Sequence, residues 1–256
     1  MKFCTLVGVE FRKIRRSRIL ILLFLGTVIL WLPSVIHADM NFKMQAEGIS
    51  PENNFFIQGF MGMAAFLFPA SMVVCTVLLQ QTERNHHGIL KMLSLPVCPA
   101  KLCFAKFTVL LSLAAAQILM TVGMYGVSAG IASRTQDYNF LLPLSYVFKQ
   151  AGSILLASIP MLTFFWLLSV WIRTPIFSIG FGLASIVPSV LMINTKVWFV
   201  YPMAYPFFVI VSEYGKLATR LSTAPIKWIP WLPVAAGITI ICLLLSCFRF
   251  GQVERG

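Results

Sequence analysis

Six stretches of the chain stay apolar for close to the length that a lipid bilayer demands. They run from Ile19 to Ile36, Phe56 to Leu79, Phe104 to about Ala132, Ala151 to Ile172, Ile176 to about Ile193, and Ile229 to Phe248. Crossing a hydrocarbon core of about 30 Å takes about 20 helical residues, and a helix meets the need because it satisfies every backbone N–H and C=O without water. The pattern predicts an all-α, polytopic fold with about six transmembrane helices. The third run is long enough to tilt or to project beyond the membrane. A further apolar run, Val197 to Val211, is interrupted by Pro202 and Pro206 and is short for a span. It reads as a re-entrant or interfacial part of an extracytoplasmic loop over 195–228. If it crossed, there would be seven helices and the C-terminus would lie outside; its length favours six.

Two segments outside these runs have patterns of their own. In residues 1–18, Phe3, Val7, Phe11 and Ile14 recur at helical spacing, with Glu10, Arg12, Lys13, Arg15 and Arg16 over much of the remaining surface. That predicts an amphipathic helix lying flat on the inner leaflet. It serves either as a topogenic basic flank or also as a contact for a cytoplasmic partner. Residues 80–106 (QQTERNHHGILKMLSLPVCPAKLCFAK) are too polar to insert and too long for a tight connection. Ile89, Leu90, Leu93 and Leu95 would give one or two amphipathic turns that Pro96 ends. A protruding helix with its own apolar face implies a docking partner.

Composition supports the membrane reading, since 59% of residues are apolar and only 11% charged. The net charge of +12 would suggest nucleic acid in a soluble protein. Here the Lys and Arg residues cluster at the ends of apolar runs, which points to topology and lipid headgroups and away from nucleic acid. Thirteen of the 20 basic residues fall on the side of the N-terminus, the 80–106 segment and the C-terminus. By the positive-inside rule that side is cytoplasmic. The basic N-terminal stretch lacks a clean cleavage site, so the first run reads as a retained helix. No repeat or low-complexity segment divides the chain, and 1–256 reads as one membrane domain.

Chemistry-bearing residues are sparse. His86, His87, Cys98 and Cys103 carry metal-ligand side chains without the spacing of a usual zinc site, and the other cysteines read as reduced packing residues. The predicted helix interiors lack Asp, Glu or a central His, which disfavours both an intramembrane enzyme and an ion-coupled pump. No GxxxxGK[ST] loop occurs, so any ATP must be hydrolysed by another chain. Gly123, Gly126 and Gly130 would allow close approach of a helix from this chain or a second subunit. Pro33, Pro69, Pro160 and Pro188 would permit bends. Trp198, Phe199, Tyr201, Tyr205, Phe207 and Phe208 form an aromatic cluster; of these, Trp198, Tyr201, Tyr205 and Phe207 read as an interfacial anchor or a substrate contact.

Glu10, Lys13 and Ser17 before the first span, followed after the second by Glu83, Arg84, Gly88, Lys91, Leu93, Leu95, Pro96 and Lys106, resemble the permease subunits of ABC-2-type transporters. Within that group the chain length, the six helices and the segment WFVYPMAYPF (198–207) are most similar to the lantibiotic-immunity permeases. The resemblance implies a bacterial cell-membrane permease paired with a second permease, identical or not, and with two copies of a cytoplasmic ABC ATPase. ATP and Mg would be held by that ATPase and no cofactor by this chain. Glu83, Arg84, Gly88, Lys91, Leu93 and Pro96 would form the coupling element seated in an ATPase groove. The cargo would be an amphiphilic antimicrobial peptide expelled from the membrane. His86, His87, Cys98 and Cys103 depart from the family tendency. Alternatives are export of another hydrophobic drug or lipid, a non-transporting scaffold or sensor, and, least favoured, an intramembrane enzyme.

Overall fold

The computed structural model describes residues 3–84, 99–172, 174–217 and 228–253, and among them all regular structure is helical. Helix α1 (Phe3–Arg16) turns into α2 (Ile19–Ile36) at Arg18, whose φ of 56° lies in the left-handed region. Ser17 closes α1 by donating from both its backbone N–H and its Oγ to the Ile14 carbonyl. A 3-10 stretch, Ala38–Glu47, leads to α3 (Pro51–Gly62), where Pro51 takes the first helical position and so loses no hydrogen bond.

A π turn over Met63–Leu67 joins α3 to α4 (Phe68–Arg84), and its cause is the proline that follows. Pro69 has no N–H for the Ala65 carbonyl, and its ring crowds that oxygen. Widening the helix, so that the Phe68 N–H reaches back to Met63 O, accommodates both. Pro188 acts differently. Unable to donate to Ala184, it ends the fifth apolar helix as one piece, giving α7 (Pro175–Ala184) and α8 (Val187–Met192). Pro160, by contrast, sits inside an unbroken helix.

The remaining helices are α5 (Pro99–Thr135), α6 (Leu144–Trp171), α9 (Tyr205–Leu217) and α10 (Trp228–Val253), with short 3-10 turns at Trp198–Val200 and Pro202–Ala204. Six helical stretches are long and apolar enough to cross a membrane: Ile19–Ile36, Pro51–Gln81, Pro99–Thr135, Leu144–Trp171, Pro175–Met192 and Pro230–Phe250. With six crossings, α1 and the end of α10 share one face. Three helices begin earlier than their apolar runs, at Pro51, Pro99 and Leu144. A helix can continue past the lipid because its hydrogen bonds are internal. At 37 residues α5 measures roughly 55 Å and outreaches any bilayer core.

Packing divides the spans into a centre and a rim. In the second, third and fourth spans 67%, 61% and 67% of the apolar window is buried, against 22%, 22% and 17% in the first, fifth and sixth. Trp31, on the inward side of the first span, is wholly enclosed and meets Phe55, Phe60 and Tyr125. The Tyr125 hydroxyl donates to Phe140 O at 3.1 Å and accepts from the Leu142 N–H at 3.0 Å, which fixes the loop after α5. Ser71 donates to Gln117 Oε1 at 2.5 Å, a polar tie between α4 and α5.

Close approach through glycine occurs at positions the spacing did not suggest. An added Cβ at Gly123, Gly126 or Gly130 would meet nothing within 4 Å, so that stripe makes no close approach to another helix among the described residues. At Gly182 a Cβ would lie 2.6 Å from Val73 Cγ1, and it is here that α7 packs on α4. Gly182→Ala should therefore lower the melting temperature of the purified protein, and Val73→Ala in the same chain should return most of the loss. Equal losses in the single and double variants would refute the contact.

Candidate functional site

The feature of this bundle with the clearest chemical content is an ion pair buried where α1 meets the roots of α4 and α5. Lys106, two turns into α5, is 0% exposed and sits within the apolar run that begins at Phe104. Its Nζ donates to Glu10 Oε2 at 3.3 Å and to the Leu79 carbonyl at 3.4 Å. The second Glu10 oxygen accepts from Lys13 Nζ at 2.6 Å. Three elements thus converge on one ammonium group: the interface helix and the two helices that bracket residues 85–98.

A buried cation and a buried anion each cost several kcal/mol to strip of water. The arrangement is tolerable because Glu10 takes a cation on each oxygen and Lys106 has a carboxylate and a carbonyl. It also corrects the predicted orientation of the interface helix. Phe3, Val7, Phe11 and Ile14 were expected to share the apolar face, with Glu10 on the polar one. Instead Leu6, Glu10 and Ile14 are buried, at 3%, 1% and 5% exposure, while Phe3 and Phe11 stand 41% and 42% exposed and Val7 is half-buried. The protein turns the Leu6–Glu10–Ile14 stripe towards itself and leaves Phe3 and Phe11 on its outside, the side on which an interface helix meets lipid. The signal for this was available: Glu10 is the lone acid in a basic stretch, and Lys106 sits within an apolar run.

The coupling element predicted over 80–106 is helical at both ends. Residues 80–84 continue α4 and residues 99–106 belong to α5. Glu83 and Arg84 lie in the last turn of α4. Gly88, Lys91, Leu93 and Pro96, with His86, His87 and Cys98, fall outside the described residues. Cys103 is buried and its sulfur accepts from Trp166 Nε1 at 3.3 Å. Among the described residues no cluster of His, Cys, Asp and Glu is arranged to hold a metal ion.

On the opposite face the aromatic residues 198–208 hold one segment together. Trp198 stacks on Phe208, with ring centroids 3.5 Å apart, and touches Tyr205 and Trp231. Tyr201 donates to the Ser185 carbonyl and Tyr205 to the Phe199 carbonyl. Tyr205, expected among headgroups, is fully buried, and Pro202–Ala204 is buried with it; Tyr201 and Phe207 are half-buried. The chain therefore turns inward to the level of Ser185, about 15 Å along the fifth span, and α9 then leads back to the start of α6. There the Tyr146 hydroxyl donates to Glu213 Oε1 at 3.1 Å. In the loop after α5, the Tyr138 hydroxyl donates to the Glu52 carboxylate, which raises the Tyr138 pKa.

Comparison with known proteins matches residues 6–189 to the family described as ABC-2 family transporter protein. Neither a curated protein nor a solved structure matches the chain. The matched stretch runs from α1 into the fifth span and includes the Glu10–Lys106 junction and both flanks of residues 85–98. With a match over more than half its length, six apolar helices and a basic interface helix tied to the second and third spans, the chain belongs to the ABC-2 family of transporter proteins.

Proposed function

We propose that this chain is the membrane permease of an exporter that expels an amphiphilic antimicrobial peptide of the lantibiotic type from a bacterial cell membrane. A permease of the ABC-2 family works with an ATPase subunit. In this reading the ATPase is a separate chain, two copies of it bind ATP and Mg, and a second permease, identical or homologous, completes the pathway. This chain itself carries out no hydrolysis. The face with thirteen of the basic residues is cytoplasmic, and residues 197–211 form a re-entrant element on the outer side.

The observation that carries the reading is the three-way junction at Lys106. A push on residues 85–98 reaches α4 and α5 at their roots, and there the Lys106 ammonium of α5 donates both to the Leu79 carbonyl of α4 and to the Glu10 carboxylate on the interface helix. The motion of one lever is thereby shared by three elements, which suits a rearrangement between two packed states. An anchor alone would not require a buried charge pair.

The test is co-expression with a candidate ATPase while Glu83, Leu93 or Pro96 is replaced. The expected outcome is loss of co-purification and at least a tenfold fall in peptide tolerance for Leu93→Asp or Pro96→Ala. Unchanged co-purification and tolerance in every variant would remove the coupling role.

A further inference from the structure

A cavity of about 510 Å³ lies between α6, α9 and α10, on the face away from α1. Its size falls within the range of small-molecule sites. Its lining is divided by chemistry along its length. The deep end is made by Ala157, Pro160, Tyr205, Val209, Trp231 and Ala235, and the other end by Tyr146, Lys149, Gln150, Ser153, Glu213 and Lys216. From Lys149 to Pro160 the wall provided by α6 is about 16 Å long. Leu156 and Leu232, 68% and 61% exposed, stand on the two helices at its side. In a membrane-spanning bundle such an opening faces lipid.

Charge at the polar end selects the occupant. Both oxygens of Glu213 are taken, one by Tyr146 at 3.1 Å and the other by Lys216 Nζ at 3.0 Å. That carboxylate is neutralised within the site. Lys149 is exposed and makes no ion pair among the described residues, leaving the mouth one positive charge in excess. A cationic peptide gains nothing there, whereas a phosphate gains the Lys149 ammonium as a counter-charge.

We infer that this cavity is a binding site for an anionic phospholipid, one acyl chain running between α6 and α10 to Pro160 and Trp231 and the phosphate lying over Lys149. The occupant enters sideways from the leaflet in contact with the α9 face. This site requires only that the chain spans a membrane, and it stands or falls independently of peptide export.

Trp231 supplies the reporter, because it lines the deep end of the cavity. The full chain is reconstituted in vesicles containing phosphatidylglycerol or phosphatidylcholine with brominated acyl chains. Quenching attributable to Trp231 is the difference between the native chain and Trp231→Phe. That component should be quenched more strongly by brominated phosphatidylglycerol than by phosphatidylcholine. Lys149→Gln should reduce the preference about fivefold, the size of one lysine–phosphate contact, while Ala235→Phe should reduce quenching by both lipids by filling the deep end. Equal quenching by the two lipids, unchanged in Lys149→Gln, would overturn the proposal. So would a Trp231 response in detergent to a cationic amphiphilic peptide that tightens in Lys149→Gln, since the site would then belong to a cation.

Discussion

Lys106→Met is expected to cost this protein more than any other single substitution on its cytoplasmic-helix side. It leaves Glu10 buried with Lys13 as its one cation among the described residues, and removing one partner of a buried pair typically costs about 3–5 kcal/mol. For a chain of this size that corresponds to a fall of about 10 °C in melting temperature. Glu10→Gln should be damaging for the converse reason, since the buried Lys106 ammonium would lose the Glu10 carboxylate as its counter-charge. Replacing both, as Glu10→Met with Lys106→Met, should recover most of the lost stability, because two apolar side chains need no water. Trypsin provides a second readout. Arg15, Arg16 and Arg18 should be cut faster in either single variant, as α1 swings away from α5, and at the native rate in the double variant. Equal melting temperatures for the native and Lys106→Met chains would contradict the pairing.

The second large effect is expected at Gly59. A Cβ there would fall 2.3 Å from Trp31 Cη2 and 2.5 Å from Cζ3. Trp31 is 0% exposed and is held by Phe55, Phe60 and Tyr125, so the ring has nowhere to go. Gly59→Ala should destabilise by about 2–3 kcal/mol, the upper range for overpacking a close-packed core. Shrinking the ring in the same chain, Trp31→Phe, should restore part of that. Gly123→Ala is the control: with nothing within 4 Å of its added Cβ, it should be neutral or slightly stabilising through helix propensity. Thermal unfolding of the native chain and the three variants in one detergent compares them directly, and a neutral Gly59→Ala would show that α2 and α3 pack less closely than described.

The spans were legible because the bilayer imposes a length and a polarity on each of them, and six runs met both. Their ends were harder to read. α6 starts at Leu144, seven residues before the apolar run, since Ser145, Lys149 and Gln150 obscure the signal while costing the helix nothing. The inward turn at 198–204 was foreshadowed by two prolines in a run too short to cross. Its real support, Tyr201 on Ser185 and Trp198 on Phe208, depends on contacts that no periodicity encodes. The same is true of Glu10 and Lys106, which are 96 positions apart. Each looks like one more charge at a membrane boundary until the fold brings them together. The glycines teach a related lesson: Gly126 and Gly130 have the familiar spacing and meet no close neighbour among the described residues, whereas Gly59 and Gly182, which lack that spacing, carry close contacts.

The central claim is that residues between the second and third spans reach the compartment that holds ATP. A chain with its six cysteines replaced and Lys91→Cys introduced, treated in intact cells with a membrane-impermeant thiol reagent, tests it. The account predicts no labelling until the cells are opened, with full labelling afterwards. Labelling of intact cells at the rate of a residue placed in the loop after α5 would put that segment outside and contradict the account.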